Sequence, residues 1–314
     1  MRIAVIGLGD IAQKAYLPLL SRRSDIELIL CSRNAQTLRS LGQQYRIEHL
    51  ASSLEDLARL TPQVAFVHTA TAAHVEVASA LLEMGVDVYL DKPIAYELAA
   101  AERLVALARA RGRLLMLGFN RRCAPLYRTL AEQPDPHLAL LQKHRVGQPA
   151  GIREFVFDDF IHVVDTLRWL APSEPTALAV AARVETGKRA GLLAHVSVQF
   201  KAGSFTGLGL MNRDSGASEE CLELMAAGSK WRVENLNQAS EHRQGREQRH
   251  GFEDWTPVLR RRGFEAIIEQ FLAAVRAPEV DHRWAEDALL THRLCEQIVL
   301  AIEQQQQTQA VPPA

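Results

Sequence analysis

Short apolar runs alternate with longer amphipathic segments through the first 120 residues. Arg2–Ile6 (RIAVI), Glu27–Cys31 (ELILC), Val64–Val67 (VAFV), Val86–Leu90 (VDVYL) and Leu114–Leu117 (LLML) are short and aliphatic. Runs of that length without alternation predict strands buried on both faces. Between them, Ile94, Leu98, Ala101, Leu104, Val105 and Ala108 fall on one helical stripe. Strands separated by helices predict βαβ units and, by the right-handed crossover rule, a doubly wound parallel sheet. From about Pro136 the pattern changes. Leu192–Phe200 alternates apolar and polar positions, and similar runs follow at Phe205–Met211, Cys221–Ala226 and Lys230–Leu236. Gly203, residues 212–216 and Gly228-Ser229 punctuate them as turns. This predicts a largely antiparallel open sheet with one covered face. Two helical stripes close the chain, one through Phe264, Ile268, Phe271 and Val275, the other through Trp284, Ala288, Leu294, Ile298 and Ile302. The Gln304–Gln307 run and Val311–Ala314 read as a frayed tail. The basic stretch from Arg243 to Arg262, interrupted by Glu247, Glu253 and Asp254, reads as a solvated loop.

At 314 residues the chain is long enough for two domains, expected at 1–120 (α/β, Rossmann) and 121–314 (α+β). Its 36 Lys+Arg against 37 Asp+Glu remove the argument for a dedicated nucleic-acid or anionic-membrane binder. Cys31, Cys123, Cys221 and Cys295 are far apart and form no CxxC pair. That argues against a metal site or a disulfide framework and for a reducing, cytoplasmic setting. No apolar run approaches the roughly 18 residues of a spanning helix, and Asp10 and Lys14 cut the N-terminal apolar stretch too short for a signal peptide.

Four motifs carry chemistry. Gly7-Leu8-Gly9-Asp10-Ile11-Ala12 follows the first strand and opens the first helix. There Gly7 permits a tight turn, Gly9 lets the backbone approach a pyrophosphate, and Ala12 allows close helix–strand packing. At the end of the second strand, Cys31-Ser32-Arg33-Asn34 holds no carboxylate for a ribose 2′-hydroxyl. Ser32 and Arg33 can hold a 2′-phosphate instead, which favours NADP over NAD; the alternative is an Arg33 pointing into solvent. Asp91-Lys92-Pro93 stands at the carboxyl end of a strand, where ligands of open α/β sheets bind. Finally, Asp158 and His162 are four residues apart in DDFIHVVD. On a helix they share a face, which suits a carboxylate-supported general base. The alternative is an N-terminal cap made by Asp158 or Asp159.

Together IAVIGLGDIAQKAYLPLL, HTATAAH (68–74), DKP (91–93), GFNRR (118–122) and DDFIHVVD (158–165) resemble the glucose–fructose oxidoreductase / inositol dehydrogenase / MocA family over nearly the whole chain. HVVDTLRWL and FNRRCAPLY make MviM-like oxidoreductases the nearest branch. The resemblance implies hydride transfer between NADP or NAD and a sugar-, sugar-acid- or cyclitol-like alcohol or carbonyl. It implies that Lys92 orients substrate, that His162 is the acid/base and that Asp158 supports it. Asp165 matches a structural position; Thr69, His74 and Asn120 match positions near the nicotinamide, with helix capping as the alternative for His74. The implied assembly is a homo-oligomer, dimer or tetramer, through the C-terminal sheet. Rival readings are a non-catalytic dinucleotide-binding regulator and a cofactor-recycling eliminase or glycosidase. The short stretch between Arg122 and Asp158 lacks the family's Gly-Gly element and leaves the substrate class open. Lys143, His144 and Arg145 just upstream read either as recognition of a polar or anionic substrate or as a solvated strand end.

Titration of the protein with the two dinucleotides is expected to give clearly tighter binding of NADP; tighter binding of NAD would overturn the reading of Ser32 and Arg33.

Overall fold

The computed structural model describes residues 1–310, without the side chains of 309 and 310. Two compact units emerge: residues 1–119 with Phe264–Leu290, and residues 120–263 with 291 onward. The second expected domain, 121–314, is therefore not contiguous. Phe264–Leu290 returns to the first unit because its apolar stripe finds the Rossmann core there. Phe271 is fully buried and sits edge-on to Phe66 and Tyr89, at 5.2 and 5.4 Å between ring centroids. Phe264 meets Tyr16 edge-on at 5.6 Å.

In the first unit β1 (Arg2–Ile6), β2 (Glu27–Cys31), β3 (His49–Ala51), β4 (Val64–Val67), β5 (Asp87–Leu90) and β6 (Leu115–Leu117) form one parallel sheet. Its order is β3-β2-β1-β4-β5-β6. The order reverses between β1 and β4, so the carboxyl ends of those two strands flank the switch-point crevice. The apolar runs that predict β1, β2 and β4 have no exposed residue beyond the first of each strand. The helix expected from Ile94 begins only at Leu98 and runs to Ala110; Ile94 is buried in the turn after Pro93 instead.

The second unit is built on a sheet ordered β15-β14-β13-β12-β7-β11-β10-β8, with β9 also on β10. Its strands are β7 (Pro136–His144), β8 (Ala150–Gly151), β9 (Thr176–Val184), β10 (Leu192–Ala202), β11 (Phe205–Asn212), β12 (Glu219–Ala226), β13 (Ser229–Glu234), β14 (Gln238–Arg243) and β15 (Arg246–His250). Only β7 and β11 pair in parallel. Positions 139, 141 and 143 of β7 align with 224, 222 and 220 of β12 and are all buried. This covered face packs on helix Ile161–Leu170, in which every residue but Trp169 is buried. Two expectations fail here. The basic stretch 243–262 is not a plain loop: 246–250 is the edge strand β15 and Val258–Arg261 a short helix, held by main-chain pairing rather than apolar burial. Gln304–Gln307 is helical, inside Arg283–Ala310, with Gln305 Nε2 donating to Val180 O at 2.8 Å. The expected fray at Val311–Ala314 lies outside the described residues. No described helix is long and apolar enough to cross a membrane.

If Phe271 completes the first core, Phe271→Ala should lower stability by about 3–5 kcal/mol, read from urea denaturation, with no change expected for a substitution at exposed Trp255.

Candidate active site

In the first unit the glycine turn leaves β1 at its carboxyl end. Gly7 has φ +84°, and a Cβ there would lie 2.6 Å from the main chain of His68 and Thr69. Glycine is thus required by the close approach of the chain leaving β4 as well as by the turn. A Cβ on Gly9 would meet nothing within 4 Å. Helix 10–20 opens directly after it, with a π-turn at Ala12–Tyr16. Ala12 is fully buried against the sheet. Asp10 pairs with Lys14 at 2.6 Å and is mostly exposed, as is Ile11 to a lesser degree. Space beside Gly9 and the unpaired N–H groups of a first helical turn suit a pyrophosphate. Thr69 Oγ1 is buried with no hydrogen-bond partner among the described residues. A polar atom left in that state calls for a ligand. These features fit a bound dinucleotide. At the end of β2, Ser32 Oγ accepts from Asn34 N at 3.2 Å and Asn34 caps the next helix, accepting from Gln36 N and Thr37 N. Arg33 is exposed beside them.

Lys92 follows β5, half-buried, and its peptide bond to Pro93 is cis. Asp91 Oδ2 lies 3.0 Å from Nδ1 of His68, whose side chain is fully buried under the Tyr16 ring at 4.0 Å. Tyr16 and Tyr89 share a hydroxyl hydrogen bond of 2.8 Å nearby. The strand ends carrying Thr69 and Lys92 are thereby tied by a carboxylate–imidazole pair that pattern reading did not single out; HTATAAH and DKP hold its two members. His74 does not cap its helix, which has no side-chain cap. It is buried, with Nδ1 2.7 Å from Pro93 O and Nε2 3.0 Å from Thr69 O. Burial holds its pKa below the ordinary histidine value. The neutral ring favoured by burial donates its one N–H to one of these two carbonyls, and His74 packs between the Thr69 loop and the Lys92-Pro93 turn with both ring nitrogens facing main-chain oxygens.

In the second unit Asp158 and His162 lie on one helical path, Phe155–Phe160 as a π-turn and Ile161–Leu170 as α-helix. π-turns are rare and recur at functional sites. Asp158 and Asp159 lie inside the helical path that starts at Ile152, so neither stands at an N-cap position. Asp159, three residues before His162, is bound by Lys143 and by Arg145, whose Nε donates at 2.9 Å and Nη2 at 3.2 Å. Asp165, three residues after His162, accepts from Arg122 Nε and Thr291 Oγ1, each at 2.8 Å. That matches its structural reading. Lys143 is not a solvated strand end: it is 2% exposed. Next to it, across the β7–β12 register, Glu220 accepts from Arg121 Nε and Nη2 at 2.8 and 2.7 Å and from the Tyr127 hydroxyl at 3.0 Å. Burial raises the carboxyl of Glu220, but Arg121 outweighs it and holds its pKa at about 2. Burial, and then the charge of Arg121, lowers the Lys143 pKa to about 7. Asn120 is buried and donates from Nδ2 to Arg262 O at 2.8 Å. No group of metal-ligating side chains occurs among the described residues.

Residues 1–119 match an oxidoreductase family with an NAD-binding Rossmann fold (Gfo/Idh/MocA), and residues 125–244 match the YceM-like C-terminal domain. YceM of Salmonella typhimurium, named as an oxidoreductase, is 34% identical over 304 residues, 94% of this chain and 96% of that protein. A Gfo/Idh/MocA family oxidoreductase from Vibrio cholerae superposes with a TM-score of 0.91 at 34% identity, covering 97% of this chain and 99% of that one. A myo-inositol dehydrogenase of Streptomyces leeuwenhoekii is 31% identical over 185 residues, 55% of this chain and 57% of that protein.

The two shifted groups set opposite pH trends. Glu220 has a depressed pKa, so its stabilisation is complete above about pH 4.5 and is lost as pH falls toward 2. Lys143 also has a depressed pKa, so the unfolded chain binds the extra proton between about pH 7 and 10.5, and stability should rise with pH there. Denaturation midpoints of Glu220→Gln and Lys143→Met variants across pH should lose the acid and the alkaline slope, respectively; unchanged slopes would refute the assignment.

Proposed function

The chain belongs to the Gfo/Idh/MocA oxidoreductase family, and on that premise we propose that it moves a hydride between NADP, in preference to NAD, and an alcohol or carbonyl carbon of a sugar-, sugar-acid- or cyclitol-like substrate. One observation carries the reading. A glycine turn with open space at Gly9 ends β1, the unpartnered Thr69 hydroxyl follows β4, and Lys92 follows β5. Parallel strands deliver all three to the same edge of one sheet.

Gly7 makes the turn, its own N–H donating to Cys31 O at 3.2 Å, the N–H groups from Leu8 to Ala12 hold the pyrophosphate, and Ser32 and Arg33 hold the 2′-phosphate. Thr69 donates its hydroxyl toward the nicotinamide side. His74 acts at one remove, from between the Thr69 and Pro93 carbonyls. Asn120 likewise acts at one remove, holding the main-chain carbonyl of residue 262 and not its side chain. When bound, the nicotinamide supplies the carbon that accepts or gives the hydride. The protein's own chemistry is proton transfer and polarisation. His162 takes the hydroxyl proton onto its ring, Asp158 stabilises the imidazolium that results, and Lys92 donates to the substrate oxygen. Asp159 and Asp165, each fixed by ion pairs, keep the His162 turn from moving.

The uncovered face of the second sheet presents Leu138, Leu140, Leu208, Leu210 and Met225, all half-buried. A second copy of the chain covers this face, giving a dimer or tetramer. The four cysteines are buried and form no disulfide among the described residues, which suits a reducing cytoplasm.

Sugars, sugar acids and cyclitols screened with both cofactors should yield a substrate-dependent change in NADPH absorbance. Lys92→Ala and His162→Ala should each lower kcat by about 10²–10⁴ while dinucleotide affinity changes little. Full turnover in both variants would sink the assignment. Substrate consumption at constant absorbance would show recycling of the cofactor instead.

A further inference from the structure

Four cations converge at the end of β7 and are matched by two carboxylates. Arg121 is paired with Glu220. Lys143 and Arg145 both bind Asp159. Arg262 makes no ion pair among the described residues; burial first, then repulsion from Arg121, holds its pKa below the ordinary arginine value, with Glu220 attracting its charge and Arg145 and Arg261 repelling it. The position of Arg262 is not accidental. Gly263 beside it has φ +79°, and a Cβ there would lie 2.3 Å from Asn120 O and 2.6 Å from Ala124 N. The chain is pressed onto the turn that carries Arg121, and the Asn120 amide ties down the Arg262 carbonyl. The fold thus fixes the main chain that carries a third guanidinium within electrostatic reach of two others.

An excess of like charge that is partly withdrawn from water is costly unless an anion offsets it. The low Lys143 pKa is one sign of that cost. Arg121 and Lys143 are buried and supply field only. Arg145 and Arg262 reach solvent: the Arg145 side chain is 36% exposed and Arg262 is exposed. Arg145 gives Nε and Nη2 to Asp159, which leaves Nη1 for a ligand. Asp159 is next to Asp158 and one helical turn before His162. We propose that Arg145 and Arg262 form an anion subsite beside His162 that takes a carboxylate or phosphate group of the substrate.

This rests on the oxidoreductase reading and narrows it: among sugar-like compounds, anionic ones are the substrates, and neutral polyols are poor. The subsite also answers the question left by the shortened stretch between Arg122 and Asp158. Residues 143–145, at the end of β7, supply recognition where that stretch is reduced.

The test is calorimetric binding, so that it does not depend on turnover. Inorganic phosphate, glucuronate and glucose 6-phosphate are titrated into the full-length protein saturated with NADP, with glucose as the neutral control. Binding of at least one anion, with glucose at least tenfold weaker, is expected. Glucuronate and glucose 6-phosphate separate a carboxylate from a phosphate as the recognised group. Arg262→Gln breaks no ion pair and should weaken anion binding by about tenfold, the loss of one charge-assisted hydrogen bond, with NADP affinity unchanged. Arg145→Lys, which keeps the charge on Asp159, should weaken it as well. Equal binding of glucose and the anions, or anion binding unaffected by Arg262→Gln, overturns the proposal. So does anion binding that occurs only without NADP, since the cations would then belong to the cofactor. An anion that binds through Arg262 but is never oxidised or reduced leaves the subsite standing and counts against the oxidoreductase substrate instead.

Discussion

Buried charge must be paired, and that requirement organises the second unit around His162. Asp159 and Asp165 stand three residues before and three after it, and each is locked by cations from outside the helix: Lys143 and Arg145 from the end of β7, Arg122 from the turn after Asn120. Removing one partner of such a pair strands a charge in low dielectric, at a cost of about 3–5 kcal/mol. The helix therefore has little freedom to rotate or slide. A side chain between two pinned carboxylates keeps its direction, which is what general-base chemistry needs. The same pairing, carried one strand further by Arg121 and Glu220 across the β7–β12 register, fills the end of the covered sheet face with charge where apolar side chains fill the rest.

The first unit solves a different problem with backbone proximity. Its strand order places the ends of β1, β4 and β5 side by side. The close contact of Gly7 with residues 68–69, the His68–Asp91 pair and the His74 staple then fix three loops relative to one another. Each link spans from tens of residues to a few, yet all act at one edge of the sheet. Phe264 and Phe271 add aromatic cover to the same core from a segment more than 140 residues beyond β6.

How legible these features are in sequence follows from the kind of signal each leaves. Strands β1, β2 and β4 are continuous apolar runs, and their predicted ends coincide with the observed ones. Strand β3 is three residues long, too short to show a pattern. β14 and β15, QASEHR and REQRH, form an edge hairpin without apolar alternation, so β15 reads as loop and β14 leaves no strand signal. The π-turns at Ala12–Tyr16 and Phe155–Phe160 leave no periodic trace, since one extra residue per turn resembles ordinary helix over so short a stretch. Lys143 reads equally as a substrate-recognition group or a solvated strand end because charge at a strand terminus usually reaches water; its burial depends on Asp159, sixteen residues away.

The sequence alone determines that the chain opens with a dinucleotide-type βαβ unit, that a mostly antiparallel sheet follows, and that Lys92, Asp158 and His162 stand at the motif positions of one oxidoreductase family. Those are local facts: glycine spacing, apolar period and residue order. Tertiary structure decides that Asp159 and Asp165 are held in ion pairs, that Phe264–Leu290 belongs to the first core, and that four cations gather around two carboxylates. Those depend on which distant side chains meet, and burial makes such meetings either paired or prohibitively costly, a condition that no local pattern records.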